Sequence, residues 1–347
     1  MLPENTMNRK KIVKLSSPWS HTDYTTRVSR GNPSPDYEFV FDDEDGVTVC
    51  DYWIIWGGIK KEKEKAFCSP QHIIYLTDEV HEQRFFNKRF LDQFTAIVTC
   101  RTDIRHNRVI PTHELNTWVV EKDFDWLYSQ TDIPKSRILS VISSDQTWLP
   151  GHKLRYAFVN KLIGHFKDKI DVFGRGFNPI DDKFGALASY KYSVAIENSA
   201  IPGYFTEKIA DCYLSHTMPI YFGCPDIEEY FDPASLSIID PHDFKSAVKK
   251  IEQIMEEDRY ADVLPLLIEE KKKYLDEYHI FNKILKILDR ELPVPGQKTT
   301  VSIRNEQSFQ RGYATNKFIA SAFRKLHLPG RFFFQISIDQ SRTYANK

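Results

Sequence analysis

A chain of 347 residues with 41% hydrophobic and 27% charged residues is globular in composition and long enough for about two hydrophobic cores. No apolar run approaches the roughly 20 residues of a membrane-spanning helix, and the basic start Met1–Leu15 lacks the apolar core and cleavage site of a secretory signal, so cytoplasmic residence is expected. The formal net charge of -1 conceals an asymmetry, because residues 295–347 hold nine Lys/Arg against two acids, leaving 38 basic and 46 acidic groups for the first 294.

In chain order, the β-branched and aromatic runs Ile12–Leu15, Val47–Trp56, His72–Thr77 and Ala96–Thr99 predict strands of a first lobe. Asp42, Asp43, Glu44 and Asp45 beside Gly46 fit a turn, with divalent-ion coordination as the alternative. The charge run Lys60–Lys65 fits a solvated face or loop. A lobe boundary is expected between Asp123 and Arg137. Beyond it come a strand at Ile138–Ile142, a helix over Lys153–Phe166, strands at Ile170–Phe173 and Tyr192–Glu197, a helix from Glu207, and strands at Met218–Phe222 and Ser235–Ile239. Phe244–Arg290 reads as helical before Pro293, Pro295 and Gly296 mark the change to the basic tail. The alternation predicts an α/β protein with mainly parallel sheets, divided at 1–130, 131–294 and 295–347. The tail, with Phe332, Phe333 and Phe334, fits either attraction to an anionic membrane surface or a solvated segment with one packed aromatic patch. Five cysteines at wide, irregular spacing without a Cys-x-x-Cys pair fit reduced, buried side chains rather than a zinc site or a disulfide framework.

One segment concentrates chemistry: Tyr190-Lys-Tyr-Ser-Val-Ala-Ile-Glu197-Asn198-Ser199, then Tyr204-Phe-Thr206-Glu207-Lys208-Ile, then Ser215-His-Thr-Met-Pro219-Ile-Tyr-Phe-Gly223. The strand ends in polar residues and Thr206 is a natural N-cap, so free N–H groups of the next helix face the carboxyl edge of the sheet, where phosphate binds. Lys208 falls in the first helical turn, where the helix dipole disfavours a cation; either Glu207 or a bound diphosphate compensates it. Upstream, Leu154, Phe158 and Leu162 form an i, i+4, i+8 stripe that sets Arg155 at the edge of a buried face. Asp171-Val-Phe173-Gly174-Arg175-Gly176 allows close backbone approach to a ligand, but no G-x-G-x-x-G or P-loop sequence is present.

These strings resemble the signature of glycosyltransferase family 10, the α-1,3-fucosyltransferases, and Ser215–Gly223 is particularly similar to its bacterial members. The resemblance is dense over about 140–245, faint over 35–120 and absent after about 295. It implies two Rossmann-like domains facing a central cleft (the GT-B type) and inverting transfer of L-fucose from GDP-fucose to a glycan hydroxyl, such as the 3-OH of GlcNAc in a lipopolysaccharide O-antigen or capsule. The alternatives are another GDP-linked sugar on the same scaffold, or a noncatalytic carbohydrate-binding protein. Carried over residue by residue, the donor site comprises Arg155, Gly174, Arg175, Glu197, Asn198, Tyr204, Thr206, Glu207 and Lys208. No cofactor is obligatory, a divalent cation being at most a stimulant, and the expected partners are the GDP-sugar, the glycan acceptor and, through the tail, a membrane surface, with no nucleic acid.

Inversion requires a carboxylate base for the acceptor hydroxyl. The family places it after an N-terminal strand within Glu-Ser-Pro, where this chain reads Thr77-Asp78-Glu79-Val80-His81-Glu82 without Ser-Pro. Glu79 fits best by distance from the strand, Glu82 is the alternative and Asp78 the third choice. His81 is either a hydrogen-bond donor to substrate or a plain surface side chain.

Overall fold

The computed structural model describes residues 9–19, 36–41, 47–80, 84–292 and 296–310. The acidic run 42–45, His81, Glu82 and the tail beyond 310 with Phe332–Phe334 lie outside the described residues.

Eight strands begin the first lobe: β1 (Lys11–Ser16), β2 (Tyr37–Phe41), β3 (Thr48–Val49), β4 (Tyr52–Trp56), β5 (Lys63–Cys68), β6 (Ile73–Leu76), β7 (Ala96–Thr99) and β8 (Val109–Pro111). Six of them form a parallel sheet in the order β2-β1-β4-β6-β7-β8. Side chains alternate across a strand, so Val13, Leu15, Ile54, Trp56, Ile74 and Leu76 pack on one face while Trp53, Ile55, Ile73 and Tyr75 pack on the other. Burial on both faces is why Tyr52–Trp56 is apolar without interruption. The short helix α1 (Lys88–Leu91) contributes Phe90 and Leu91 to the second face.

The second lobe contains α2 (Phe124–Ser129), β9 (Arg137–Ile142), α3 (Pro150–Phe166), β10 (Asp171–Phe173), α4 (Lys183–Ala188), β11 (Tyr190–Ile196), α5 (Glu207–Leu214), β12 (Met218–Phe222), β13 (Ser237–Ile238), α6 (Phe244–Glu257) and α7 (Tyr260–Lys273). Its parallel sheet has the order β10-β9-β11-β12-β13. The lobe begins earlier than the expected window of 123–137: Leu115 still packs in the first lobe, whereas Trp118 and Val120 are already in the second core. The cause is Asp211 of α5, whose carboxylate accepts the Val119 N–H at 2.9 Å and fixes the connecting strand of chain to the second lobe.

The chain then returns. Helix α8 (Ile280–Glu291) lays Ile280, Phe281, Ile284 and Leu288 over the Val13–Leu76 face of the first sheet. Strand β14 (Thr299–Arg304) pairs antiparallel with β5, making a small sheet β14-β5-β3 that buries Ile303 against the opposite face. The expected divisions at 131–294 and 295–347 therefore separate residues that the structure joins. The run Lys60–Lys65, expected as a solvated face or loop, enters β5, where exposed Lys63 and Lys65 alternate with Glu64, Ala66 and Cys68 in a pattern that charge conceals.

Each parallel sheet reverses direction once. From β9 the chain goes outward to β10 and returns on the other side as β11, and in the first lobe it goes from β1 to β2 and returns as β4. Such reversals open crevices outside the carboxyl ends of the strands, the usual place for a ligand in open α/β sheets.

Candidate active site

The carboxyl ends of β9 and β11 bring Ser143 and Ser144 beside Glu197 and Asn198, and a cavity of about 450 Å³ opens at this edge. Arg155 from α3, Gly174 and Arg175 after β10, Asn198, and Glu207 and Lys208 from the first turn of α5 line it. Gly174 has φ +110°, and a Cβ there would lie 2.0 Å from the Ser143 carbonyl oxygen, so only glycine lets these two strand ends meet. Of the other expected donor residues, Glu197, Tyr204 and Thr206 are buried behind the wall.

Glu197 organises that wall. Its carboxylate accepts from the Thr206 N–H at 2.8 Å, the Thr206 hydroxyl at 2.8 Å and Lys208 Nζ at 3.0 Å. Lys208 also reaches Glu207 at 3.4 Å, so the first-turn cation is compensated by two carboxylates of the protein itself. Burial works against its charge, but Glu197 and Glu207 outweigh burial and hold the Lys208 pKa above the ordinary lysine range. Burial likewise opposes ionisation of Glu207, yet Lys208 and Lys183 hold its carboxyl well below the usual range.

Arg155 differs. It is 6% exposed, and its hydrogen-bond acceptors are neutral: the amide oxygen of Asn198 and the Ser144 hydroxyl at 3.2 Å. Its Nε is buried without a partner. Burial lowers its pKa, with Glu197 and Glu207 opposing from a distance. A buried guanidinium with neutral acceptors is the group in this wall most receptive to an incoming anion. Arg175, by contrast, is exposed and 3.5 Å from Asp145.

Across the cleft, Glu79 stands half-buried after β6. Burial first and Asp78 second push its carboxyl up to about 7, while Lys208 and Glu207 of the second lobe also act on it. Asp78 is occupied otherwise, accepting from Arg84 Nη1 at 2.8 and 2.9 Å.

Several side chains here carry no sequence signal. Lys183 pairs with Glu207 at 3.4 Å and Asp211 at 3.3 Å, closing the floor of the cavity. His152, buried beside Arg155 and Lys208, has its Nδ1 unpartnered. Glu114, buried between the lobes, accepts from the Cys100 thiol at 3.2 Å, and burial raises its carboxyl to about 8. Among the described residues no group of three or more His, Cys, Asp or Glu is placed to hold a metal ion, and no helix is long and apolar enough to cross a membrane.

Residues 135–289 match the model of the family described as glycosyltransferase family 10 (fucosyltransferase), C-terminal part. These residues are similar to a glycosyltransferase family 10 domain. An alpha-(1,3)-fucosyltransferase of Helicobacter pylori is 38% identical over 117 residues, covering 32% of this chain and 24% of that protein. Alpha-(1,3)-fucosyltransferase B of Drosophila melanogaster is 38% identical over 68 residues, covering 20% of this chain and 15% of that protein. The chain thus matches no more than about a quarter of the length of these curated relatives. A solved α1,3-fucosyltransferase with GDP-fucose aligns over 78% of this chain and 92% of its own at 18% identity, with a TM-score of 0.47. The cavity wall from Arg155 to Lys208 lies inside the matched residues, and Glu79 lies outside them.

Proposed function

We propose that this chain transfers L-fucose from GDP-fucose to a glycan hydroxyl with inversion, the acceptor being of the kind offered by the 3-OH of GlcNAc in a surface polysaccharide. The observation that carries the reading is Arg155, a buried cation with neutral acceptors at the reversal between β9 and β11. It receives the diphosphate together with Lys208 and the N-terminus of α5, fixed positive groups where the leaving phosphate gains charge. Glu79 takes the acceptor hydroxyl proton as the acceptor oxygen bonds to the anomeric carbon and the bond to the diphosphate breaks, its electron pair leaving with GDP. A carboxyl raised to about 7 is poised for that transfer near neutral pH.

The acceptor fits the other reversal, between β1 and β4. Trp19, 40% exposed, stands there against Trp56 with ring centroids 5.2 Å apart. A Cβ at Gly57, where φ is +68°, would lie 2.5 Å from the Trp19 ring and 2.8 Å from Asp78, so glycine keeps this indole close to the segment that carries Glu79. The exposed indole offers a stacking surface to a sugar ring. Residence in the cytoplasm with the basic tail at an anionic membrane belongs to the same reading, supported by nine Lys/Arg against two acids in residues 295–347.

The test is thermal shift with nucleotides followed by a transfer assay. GDP at 100 times its dissociation constant stabilises by about 2.7 kcal/mol, UDP does not, and Arg155→Ala shrinks the response at the same GDP concentration. Equal stabilisation by UDP overturns the guanine assignment, and GDP binding without transfer to any acceptor favours the noncatalytic alternative.

A further inference from the structure

The segment carrying Glu79 is held by contacts that converge on two arginines. Arg84 donates to both Asp78 oxygens at 2.8 and 2.9 Å, to the Gly57 carbonyl at 2.7 Å, and through Nη2 and Nε to Glu306 Oε2 at 2.9 and 3.2 Å. Its backbone N–H donates to the Val80 carbonyl at 3.0 Å. Arg101, following β7, donates to the carbonyls of Glu79 at 3.0 Å and Arg84 at 2.8 Å and is itself fixed by Asp103 at 2.6 Å. Both guanidinium groups lie over the Phe86 ring, 4.8 and 4.9 Å from its centre. Gly57, Asp78 and Arg101 belong to the edge of the first sheet, but Glu306 arrives from 222 positions along the chain, just after β14. Its second oxygen accepts the Asn87 N–H at 3.3 Å, and the carbonyl of Phe309 accepts from the Asn87 side chain at 3.0 Å, so the end of this segment is anchored beside Arg84.

We propose that Glu306 is a positioning residue for Glu79: it fixes the far side of the Arg84 guanidinium, so that Arg84 stays on Asp78 and the neighbouring carboxylate is held toward the cleft. The inference rests on Glu79 being the base. A guanidinium presents two edges, and here Asp78 and Glu306 each occupy one. With Glu306 gone, Nε and Nη2 lose their acceptor, the side chain is free to turn toward solvent, and Asp78 is left uncompensated next to Glu79. The charged and titratable groups acting on Glu79 are Asp78, Arg84, Lys208 and Glu207, with Glu114 and Tyr204 also within its field. Of these, Asp78 and Arg84 change their arrangement when Glu306 is removed, which draws the positive charge of Arg84 away from Glu79 and makes its proton harder to lose.

The experiment measures kcat, KM for GDP-fucose and the pH profile of kcat/KM for E306A, E306Q and R84M, with each rate divided by the number of GDP-binding sites. E79Q is measured in parallel. E306A is expected to lose about tenfold in kcat with donor KM within about twofold, and its acid limb moves up by about one pH unit. E306Q keeps a carbonyl acceptor for Arg84 and recovers most of the rate. A merely structural role lowers the number of GDP-binding sites and leaves the rate per site and the acid limb unmoved, and that result overturns the proposal. Should E306A fail to fold, R84M leaves β14 and Glu306 in place and reads the same limb. Parental activity in E79Q overturns the base assignment instead, and a dead E79Q with an unmoved limb in E306A and R84M overturns the clamp alone.

Discussion

The second lobe takes its sheet from one continuous stretch, β9 through β13, and the cavity wall from Ser143 to Lys208 is built from consecutive strand ends and the helices that follow them. The first lobe is closed by pieces from the other end of the chain, α8 on one face of its sheet and β14 on the other. The difference separates two kinds of site. A diphosphate cradle needs strand ends and helix starts that local sequence supplies, and the family 10 match, residues 135–289, covers that lobe before running on into α8. The acid across the cleft is set by partners as remote as Glu306.

The harshest way to break this contrast is truncation. A chain ending at Pro295 loses Ile303, which is 1% exposed, and the ion pairs Lys298–Asp51 at 2.6 Å and Arg84–Glu306 at 2.9 Å. A loss of about 4 kcal/mol or more is expected from so many simultaneous mechanisms, seen as a collapsed chemical-denaturation midpoint, whereas a chain ending at Gln310 keeps every one of these contacts. Equal stability of the two would dissolve the distinction between the lobes.

Glu79→Gln comes next. Turnover should fall by a factor of about 10²–10⁴ with donor affinity retained, because the amide accepts a proton poorly. Parental turnover would move the base away from this strand end. In the second lobe, Arg155→Ala should weaken GDP binding by about 1–3 kcal/mol with little change in melting temperature, since its hydrogen bonds go to the neutral Asn198 and Ser144. Lys208→Ala should cost both affinity and about 3 kcal/mol of stability, because it strands the buried carboxylate of Glu197. Identical profiles for the two variants would show that the cations are not distinguished by their partners.

pH sharpens the contrast further. Glu79 is raised from 4.5 to about 7, so between those values the folded chain holds a proton that the unfolded chain has released, and the contribution of this group to stability falls as pH rises through the window. Glu114, raised to about 8, acts in the same direction. Activity should therefore rise toward pH 7 while stability falls, and Glu114→Gln should flatten the stability decline; a denaturation series from pH 5 to 8 reads both. The smallest effect is expected for Trp19→Ala, about a threefold rise in acceptor KM with donor KM unchanged, the scale of one aromatic contact.

Strand limits were readable where burial leaves an uninterrupted apolar run: Ala96–Thr99 and Met218–Phe222 are the strands the pattern predicts. β5 was not, since Lys63 and Lys65 occupy its outward positions and mimic a loop. The helical period of Ile280–Leu288 shows an apolar face but not which sheet receives it, so chain order alone places α8 with the nearer lobe. At the site, Thr206 as N-cap and Arg155 at the edge of a buried stripe follow from local rules. Lys183 does not, because its value depends on Glu207, 24 residues on, arriving beside it. Nor does the occupation of Asp78 by Arg84, which comes from tertiary packing rather than spacing.

The closing of the first sheet by α8 also sets an order of events during synthesis. Strands β1–β8 leave the ribosome while α8 has yet to be made, and at 5–20 residues per second the interval is on the order of ten seconds or more. During that interval the Val13–Leu76 face lacks α8, whereas the second lobe acquires its strands and their crossover helices as they emerge. The usual vectorial sequence is thereby inverted: the lobe born first matures last, and its nascent sheet is the stretch most in need of a chaperone.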